Sequence, residues 1–242
     1  SDDFESYVTG TPLIDGTNGW YASSNSAIVQ SSVVYEGTNA GMVPLDVTLS
    51  NRFSDIGATN IWLQMDVRPV LREDIDFPEL DTNSSALFFI NSNGYFVAYD
   101  EPSTNWCTFT NTITGTNAIP VSNGDWVRLN VYQNYSNNTW ALFANYYLLD
   151  DSIGFVNTNS STFCGFDIYN GTGNTSYLDR IIVESTLPED LGDHGGDWLP
   201  DLMVSPTNLS RRVFEGTNAL ANNFQVWMTN GFYSMIYTNT LT

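Results

Sequence analysis

The sequence predicts an all-β fold: a sandwich of two antiparallel sheets, followed by a C-terminal tail of β-strands. Apolar residues alternate with polar ones, or form short β-rich apolar runs, in many segments of the chain. Turn clusters rich in Asn, Gly, Ser and Asp separate these segments, and no segment keeps the 3.6-residue period of a helix. The predicted strands are residues 27–35, 61–70, 86–90, 95–99, 126–132, 139–147, 163–169 and 177–184.

Turn residues show how two of these strands begin. The run NSNG at 91–94 predicts a tight turn that joins strands 86–90 and 95–99 into a hairpin. The run SNGD at 122–125 predicts the turn that leads into strand 126–132. Tight turns of this kind join antiparallel neighbours, so they favour antiparallel sheets.

The composition changes after Glu184, where prolines, glycines and aspartates become frequent. Such a change predicts a linker or a strap wrapped over the surface. We therefore expect a β-sandwich body at residues 1–186, a linker at 187–202 and a separate C-terminal segment at 203–242.

The C-terminal segment carries a hairpin pattern. Apolar residues alternate on both sides of a Thr-Asn-Gly turn at 229–231, which predicts two paired strands. Their alternating residues are Phe224, Val226, Met228, Tyr233, Met235 and Tyr237. Two strands alone are marginal in water, so we expect them to pair with the body's own edge, with the rest of a larger domain or with another copy of the chain.

Charge and composition exclude several classes of partner. The net charge is −20, and all seven basic residues are arginines. So acidic a surface repels nucleic acid and anionic membranes. No apolar run reaches the roughly 18 residues of a membrane span. We interpret the abrupt start at Ser1 as the mature end of an exported chain, which predicts an extracellular or cell-surface location.

The two cysteines, Cys107 and Cys164, are far apart and lack the CxxC spacing of metal or redox sites. A structural disulfide fits an exported protein, and two buried free thiols are the alternative.

Three stretches of the body resemble concanavalin A-like, LamG-type jelly rolls over roughly residues 3–185. The stretches are DDFESYVTGTPLIDGTNGWYAS, GDWVRLNVYQNYSNNTWALFANYYLL and TSYLDRIIVE, which are similar to the family's first strand, central hairpin and last strand. The tail from about Met203 resembles the start of the Ig-like β-sandwich repeats of large bacterial surface proteins. Such a repeat has about seven strands over ~100 residues, and this chain stops well short of that.

The resemblance also implies a structural Ca²⁺ ion between the first and last strands. The matching residues are Asp3 or Glu5 and Asp179, and the alternative is that Glu5 and Asp179 pair with Arg180 or solvent. A second calcium candidate is the run GDHGGDWLPD, which resembles the Asp-rich loops of calcium-binding linkers. Its aspartates are Asp193, Asp197 and Asp201, but it lacks Asp or Asn at the third loop position and a closing Glu.

No set of residues predicts catalysis. The densest acidic run, REDIDFPELD at 72–81, contains Pro78 and irregular spacing, so we interpret it as a solvated loop, with a weak cation site as the alternative. The only histidine, His194, lies in the Gly/Asp-rich strap without a Gly-x-Ser-x-Gly motif elsewhere. A glycoside hydrolase remains an alternative if two carboxylates face each other across a groove.

Aromatic residues near turns are candidate platforms for glycans, because sugar rings stack on exposed aromatic faces. The candidates are Trp20, Tyr21, Trp106, Tyr146 and Tyr147. Aromatic side chains in β-sandwiches are more often core or cross-strand pairs, so burial is the alternative for each.

We therefore expect a non-catalytic extracellular protein that assembles head to tail, as a homopolymer, by strand addition from its C-terminal tail. The alternative is a carbohydrate-binding module of a larger secreted or surface protein, with a polysaccharide as partner. The second alternative is a glycoside hydrolase of jelly-roll fold.

Overall fold

A computed structural model describes residues 1–71, 77–113, 115–171, 173–189 and 191, together with the backbone of two strands near the C-terminus. The chain divides into two compact units, Ser1–Thr186 and Leu187–Thr242. Where the structure describes the first unit, its regular elements are β-strands apart from one 3₁₀ turn at Thr17–Gly19. Among the described residues, no helix has the length and apolar character needed to span a membrane.

One layer of the first unit is an antiparallel sheet of seven strands, here called the large sheet. Its order is β11-β10-β9-β5-β13-β3-β2. The strands are β2 (Ile28–Gln30), β3 (Ala40–Val43), β5 (Asn60–Arg68), β9 (Val127–Asn134), β10 (Thr139–Ala144), β11 (Tyr147–Gly154) and β13 (Ser176–Glu184).

The second layer consists of two antiparallel sheets of three strands each. The first has the order β1-β4-β12, with β1 at Trp20–Ala22, β4 at Val47–Arg52 and β12 at Gly165–Asn170. The second has the order β6-β7-β8, with β6 at Phe88–Ile90, β7 at Phe96–Asp100 and β8 at Asn105–Thr108. Both small sheets pack on the same apolar core as the large sheet. The fold is therefore the antiparallel jelly-roll β-sandwich that the sequence predicted.

Strand alternation gives the large sheet two different faces. On β9, the side chains of Val127, Leu129 and Val131 belong to the apolar core, whereas Arg128 and Asn130 point to the opposite side. We call that opposite side the outer face of the large sheet. Its central residues are also buried and are mainly polar: Gln64 and Asp66 on β5, and Arg128 and Asn130 on β9.

Two of the predicted strands are shorter than expected. Strand 27–35 ends at Gln30, because the Gln30 side-chain oxygen accepts the N–H groups of Ser32 and Val33 and turns the chain. Strand 139–147 is interrupted at Asn145 and Tyr146, whose positive φ angles of 48° and 71° form the turn between β10 and β11. Strands β1, β3, β4, β8 and β11 were not predicted from the sequence.

The predicted C-terminal hairpin is present as a two-stranded sheet, β14 (Phe224–Met228) and β15 (Tyr233–Tyr237). Its register pairs Phe224 with Tyr237, Val226 with Met235 and Met228 with Tyr233. The remainder of 203–242 lies outside the described residues, so its likeness to an Ig-like repeat is untested.

The predicted disulfide is not formed. Cys107 and Cys164 are both free thiols. Cys107 lies on β8 and packs against the core, whereas Cys164 is exposed just before β12, on the other small sheet. The two residues thus belong to different sheets of the layer.

Candidate functional site

Aromatic and charged side chains meet at one end of the outer face of the large sheet. Tyr35, in the loop between β2 and β3, is 42% exposed and lies 5.6 Å from Trp126, ring centre to ring centre. The Arg180 guanidinium carbon lies 5.4 Å from the centre of the Tyr35 ring. Arg180 Nε in turn donates to Asp66 Oδ2 at 2.9 Å. We call Tyr35, Trp126, Arg180, Asp66 and the neighbouring Tyr146 the rim site.

Two carboxylates hold the loop that carries Tyr35. The buried Asp179 accepts the backbone N–H groups of Tyr35 and Glu36 on Oδ2, at 3.1 and 3.2 Å. Glu5 accepts the N–H of Thr38, the Thr38 hydroxyl and the N–H of Asn39, at 2.6 to 2.8 Å. Backbone donors bound to a carboxylate fix the loop at both ends, and the position of the Tyr35 ring is fixed with it.

A buried ionic network continues from the rim site along the outer face. Asp66 Oδ2 accepts both Arg128 Nη1 at 2.8 Å and Arg180 Nε at 2.9 Å. Arg128 Nη2 donates to Gln64 Oε1 at 2.6 Å. Burial raises the pKa of Asp66, and the two guanidiniums oppose this shift. The two ion pairs offset the free-energy cost of burying the Asp66 carboxylate between β5, β9 and β13.

Part of this polar row has unused hydrogen-bonding capacity. Among the described residues, Asp66 Oδ1 and both side-chain polar atoms of Asn130 are buried and have no hydrogen-bond partner. Leaving a buried polar group unsatisfied costs about 1–3 kcal/mol. These atoms are inaccessible to solvent, so a glycan bound at the surface does not contact them directly.

Backbone strain is concentrated at the same end of the sheet. Arg180 has φ = 46°, where β13 has an irregular register with β5 between Asp179 and Ile182. Tyr146 has φ = 71°, which is unusual for a bulky aromatic residue. The turn is held by Asn145, which donates its N–H to the Arg128 carbonyl and accepts the Arg128 N–H on Oδ1. Strained residues of this kind cluster at binding sites more than elsewhere.

The carboxylates predicted to bind calcium in the body do not come together. Asp179 holds the loop N–H groups, Glu5 holds Thr38 and Asn39, and Asp3 Oδ1 accepts the Glu5 N–H. Within the described part of the chain, no three side chains of the metal-binding types are grouped. These oxygens face N–H and O–H donors, so the site does not fit a cation. Asp193, Asp197 and Asp201 lie outside the described residues.

Carboxylates are also not arranged for hydrolysis on the outer face. Asp66 and Asp179 are register partners on β5 and β13. One oxygen of Asp66 is occupied by two guanidiniums, and Asp179 accepts three backbone N–H groups. Burial raises the pKa of Asp179, which these N–H groups oppose. Neither carboxylate is presented toward a substrate in the way a general acid or nucleophile requires.

The five aromatic candidates have different environments. Trp20 is fully buried, packs 5.5 Å from Phe4 and donates Nε1–H to Asp2 Oδ2 at 2.7 Å, so its prediction as a glycan platform is wrong. Tyr21 and Tyr147 are about half exposed on β1 and β11. Tyr146 belongs to the rim site. Burial raises the pKa of Tyr35, and the nearby Asp66 and Tyr146 raise it further.

Trp106 lies in a second aromatic cluster, on the side of β6-β7-β8 that faces away from the core. Phe77 stacks parallel to Trp106, with ring centres 5.4 Å apart and an interplanar angle of 5°. Phe89 and Tyr99 contact the Trp106 ring edge to face at 5.4 and 5.5 Å. We call Phe77, Phe89, Tyr99 and Trp106 the outer aromatic patch.

A cavity of about 590 Å³ lies between β6 and β12. Its floor is the apolar core face of the large sheet, including Leu63, Met65 and Leu129. Residues of the segment that connects β5 to β6, such as Val70 and Asp81, also line it. Polar side chains also line the cavity, but Gln133 accepts the Tyr135 hydroxyl and Arg52 donates to Asp167, so these groups are already paired and we do not place the site there.

Sequence reasoning did not find Tyr35, Trp126, Asp66 and Arg180. A usable signal was present for Asp66, because Gln64, Asp66 and Arg68 alternate with apolar residues on the predicted strand 61–70. The polar alternation of Arg128 and Asn130 on strand 126–132 is the same signal.

No family model and no curated protein matches the chain. Solved structures do match. A sialidase is 10% identical with a TM-score of 0.51, over 79% of this chain and 19% of the sialidase chain. The carbohydrate-binding module CBM66 from Bacillus subtilis is 11% identical with a TM-score of 0.39, over 72% of this chain and 100% of the module. The alginate lyase vAL-1 from Chlorella virus is 10% identical with a TM-score of 0.43, over 72% and 96%.

At these identities, the likeness to the sialidase shows the β-sandwich fold alone. This chain spans about a fifth of the sialidase's length. The argument for function therefore depends on the site itself.

Proposed function

We propose that this chain is a non-catalytic, extracellular carbohydrate-binding module that holds a neutral glycan at the rim site. The observation that carries the proposal is a partly exposed aromatic and guanidinium stack, Arg180 over Tyr35 beside Trp126, with the exposed carboxylate of Glu36 next to Arg180. Sugar rings need both features: an apolar ring face on which to stack and planar polar groups that bind hydroxyls.

The charges of the rim site favour a neutral ligand. The guanidiniums of Arg128 and Arg180 are already bound to Asp66, and Arg180 Nη1 also lies 3.5 Å from Glu36 Oε2. With Asp179, three carboxylates therefore surround two cations. The chain as a whole carries a net charge of −20. A uronate or sulfate would meet unfavourable charge both locally and at long range.

Affinity electrophoresis of the full chain tests the proposal. Gels would contain hydroxyethyl cellulose, xyloglucan or galactomannan as neutral polymers, and polygalacturonate as the acidic comparison. We expect retardation by at least one neutral polymer and none by polygalacturonate. Tyr35→Ala is expected to weaken binding about fivefold, since an aromatic contact contributes about 0.5–1.5 kcal/mol.

Tyr169→Ala is the matched control, because Tyr169 is 60% exposed but lies on β12 of the other layer. It should bind like the wild type. Equal retardation of wild type and Tyr35→Ala would show that the glycan does not bind at the rim site. If no neutral polymer retards the wild type, the proposed carbohydrate-binding function is wrong.

Assembly through the C-terminal strands remains a second candidate. The observation in its favour is the β14–β15 hairpin, whose register places all six predicted apolar residues at paired positions. Because a two-stranded sheet is marginal by itself, we predict addition to another copy. Sedimentation velocity of the full chain over a hundredfold concentration range tests this: assembly should increase with concentration and decrease in Val226→Asp, and a concentration-independent monomer would exclude it.

A further inference from the structure

The outer aromatic patch has the geometry of a prepared stacking platform. The Trp106 ring is held by three neighbours: Phe77 against its face, and Phe89 and Tyr99 at angles of 68° and 69°. Phe77 is itself 61% exposed and nearly parallel to Trp106. The stacking on Trp106 therefore fixes the orientation of the Phe77 ring, which is exposed to solvent. A ligand that stacks on this ring restricts few further side-chain rotamers, so the entropy cost of binding is small.

The patch does not arise from core packing. On β6, β7 and β8, the residues that alternate with the patch, Phe88, Ala98 and Cys107, contact the core. Phe89, Tyr99 and Trp106 therefore point to the opposite side, and Val97 beneath them is 2% exposed. The sandwich would keep its core if the outer rings were smaller.

We infer that the outer aromatic patch is a second carbohydrate-binding platform, so that one copy of the chain binds two neutral glycan chains at once. This inference rests on the proposed function for the class of ligand. It adds a second site with its own residues, on the opposite face of the sandwich.

The size of the patch favours a sugar over a protein partner. An aromatic side chain has about 150–250 Å² of surface, so four rings that are only partly exposed offer no more than about 400 Å². A stable protein interface buries about 800 Å² on each partner. One or two sugar rings match the smaller area. Asn105, Thr108 and Thr104 add exposed amide and hydroxyl groups near Trp106. The exposed Glu79 lies two residues from Phe77, so the charge near the patch is acidic and disfavours an anionic sugar.

The placement of the two sites has a consequence for ligand architecture. The rim site lies on the outer face of the large sheet, whereas the patch lies on the outward side of the opposing layer. A single straight glycan chain cannot contact both faces of a sandwich. Each copy of the protein is thus expected to join two glycan chains into a cross-linked network.

Turbidity and light scattering with a high-molecular-weight neutral polysaccharide test the inference on the full chain. The polymer would be whichever of hydroxyethyl cellulose, xyloglucan and galactomannan retards the wild type. The wild type should cross-link the polymer, while Phe77→Ala and Tyr35→Ala should each bind but no longer cross-link. Phe77→Ala should weaken retardation about threefold to tenfold, and the double variant should show none.

Two controls separate the platform from general effects of the change. Ile119→Ala removes an apolar side chain of similar exposure, 66%, and should cross-link like the wild type. Phe77→Trp keeps a stacking ring and should keep cross-linking. Self-association through the tail would let Phe77→Ala cross-link through the rim site alone, so every variant in this assay also carries Val226→Asp, and sedimentation velocity checks that each is monomeric.

The outcomes distinguish this inference from the proposed function. Unchanged cross-linking in Phe77→Ala, with weaker binding in Tyr35→Ala, overturns the second platform and leaves the rim site. Loss of all binding in Phe77→Ala, with Tyr35→Ala unaffected, overturns the rim site and the binding of two glycan chains by one copy, and leaves the outer aromatic patch as a single site. No binding by the wild type to any of the three polymers overturns both.

Discussion

Replacing Asp66 by asparagine should destabilise the β-sandwich far more than the same change at an exposed ion pair. Asp66 is fully buried, and Arg128, whose side chain is 3% exposed, donates to it. Asparagine keeps the shape but removes the charge that compensates the buried guanidinium. Removing one partner of a buried ion pair costs about 3–5 kcal/mol. Arg180 contributes less to this cost, because its side chain is 32% exposed and can be hydrated.

The pair Arg52–Asp167 supplies the comparison within the same compact unit. Its side chains are 47% and 45% exposed, and its distance is 2.5 Å. Exposed pairs contribute about 0–1 kcal/mol despite good geometry, because water solvates both partners once they separate. Asp167→Asn is therefore the matched control: the same residue types, the same substitution and a different burial.

Thermal unfolding followed by circular dichroism measures both variants. In a domain of 150–250 residues, 1 kcal/mol corresponds to about 2–4 °C in Tm. We expect Tm to fall by about 10 °C in Asp66→Asn and by no more than about 3 °C in Asp167→Asn. Equal shifts would refute the argument. Burial raises the pKa of Asp66 because the charged carboxylate loses its hydration. An increase in Tm for Asp66→Asn would show that this desolvation costs more free energy than the ion pairs with the two arginines contribute.

Three further predictions concern single groups. Hydrogen bonds from Thr38 and Asn39 lower the pKa of Glu5, so the ionised Glu5 stabilises the folded state at neutral pH. This stabilisation is lost as the pH falls below the ordinary pKa of a glutamate and the carboxylate becomes protonated. Glu5→Gln should therefore flatten the acid side of a plot of Tm against pH, and an unchanged slope there would contradict this. Burial raises the pKa of Tyr135 to about 12, so the folded state keeps a proton that the unfolded state loses from pH 10 upward. Stability should therefore fall between pH 10 and 12, and less steeply in Tyr135→Phe, as alkaline urea titrations would show. Calcium is expected to bind at the Asp-rich run rather than in the body: calorimetric Ca²⁺ binding should be lost in Asp197→Asn and retained in Asp179→Asn, and the reverse pattern would contradict this.

The fold was predictable where strands alternate over several residues. Strands β5, β9 and β13 follow the predicted segments to within about two residues, because one face of each meets the apolar core. Strand β3, with the sequence AGMV, has little β-propensity of its own and is defined by pairing with β2 and β13. Strand β11 lacks alternation because its register with β10 shifts twice.

The rim site could not be predicted because its contacts are long-range. Arg128 and Arg180 meet Asp66 across 62 and 114 residues of sequence. They meet because β9, β5 and β13 are neighbours in the large sheet, and periodicity predicts strands without their order. The aromatic residues posed a different difficulty. Trp20 and Trp106 both flank short β-segments, yet one fills the core and the other faces away from it.

The loop at residues 35–39 shows what the carboxylates predicted to bind calcium in the body bind in this structure. A carboxylate that binds a cation and one that accepts N–H groups have the same sequence signature, since both need an acidic residue close to a loop. The two cases differ in whether the loop directs carbonyl oxygens or N–H groups toward the carboxylate. Here it directs four backbone N–H groups and one hydroxyl at Asp179 and Glu5, so the loop itself is the electropositive partner. A Ca²⁺ ion would need carbonyl oxygens in those places. The acidic residues that suggested a metal therefore hold Tyr35 in position, which connects the N-terminal segment and β13 directly to the rim site.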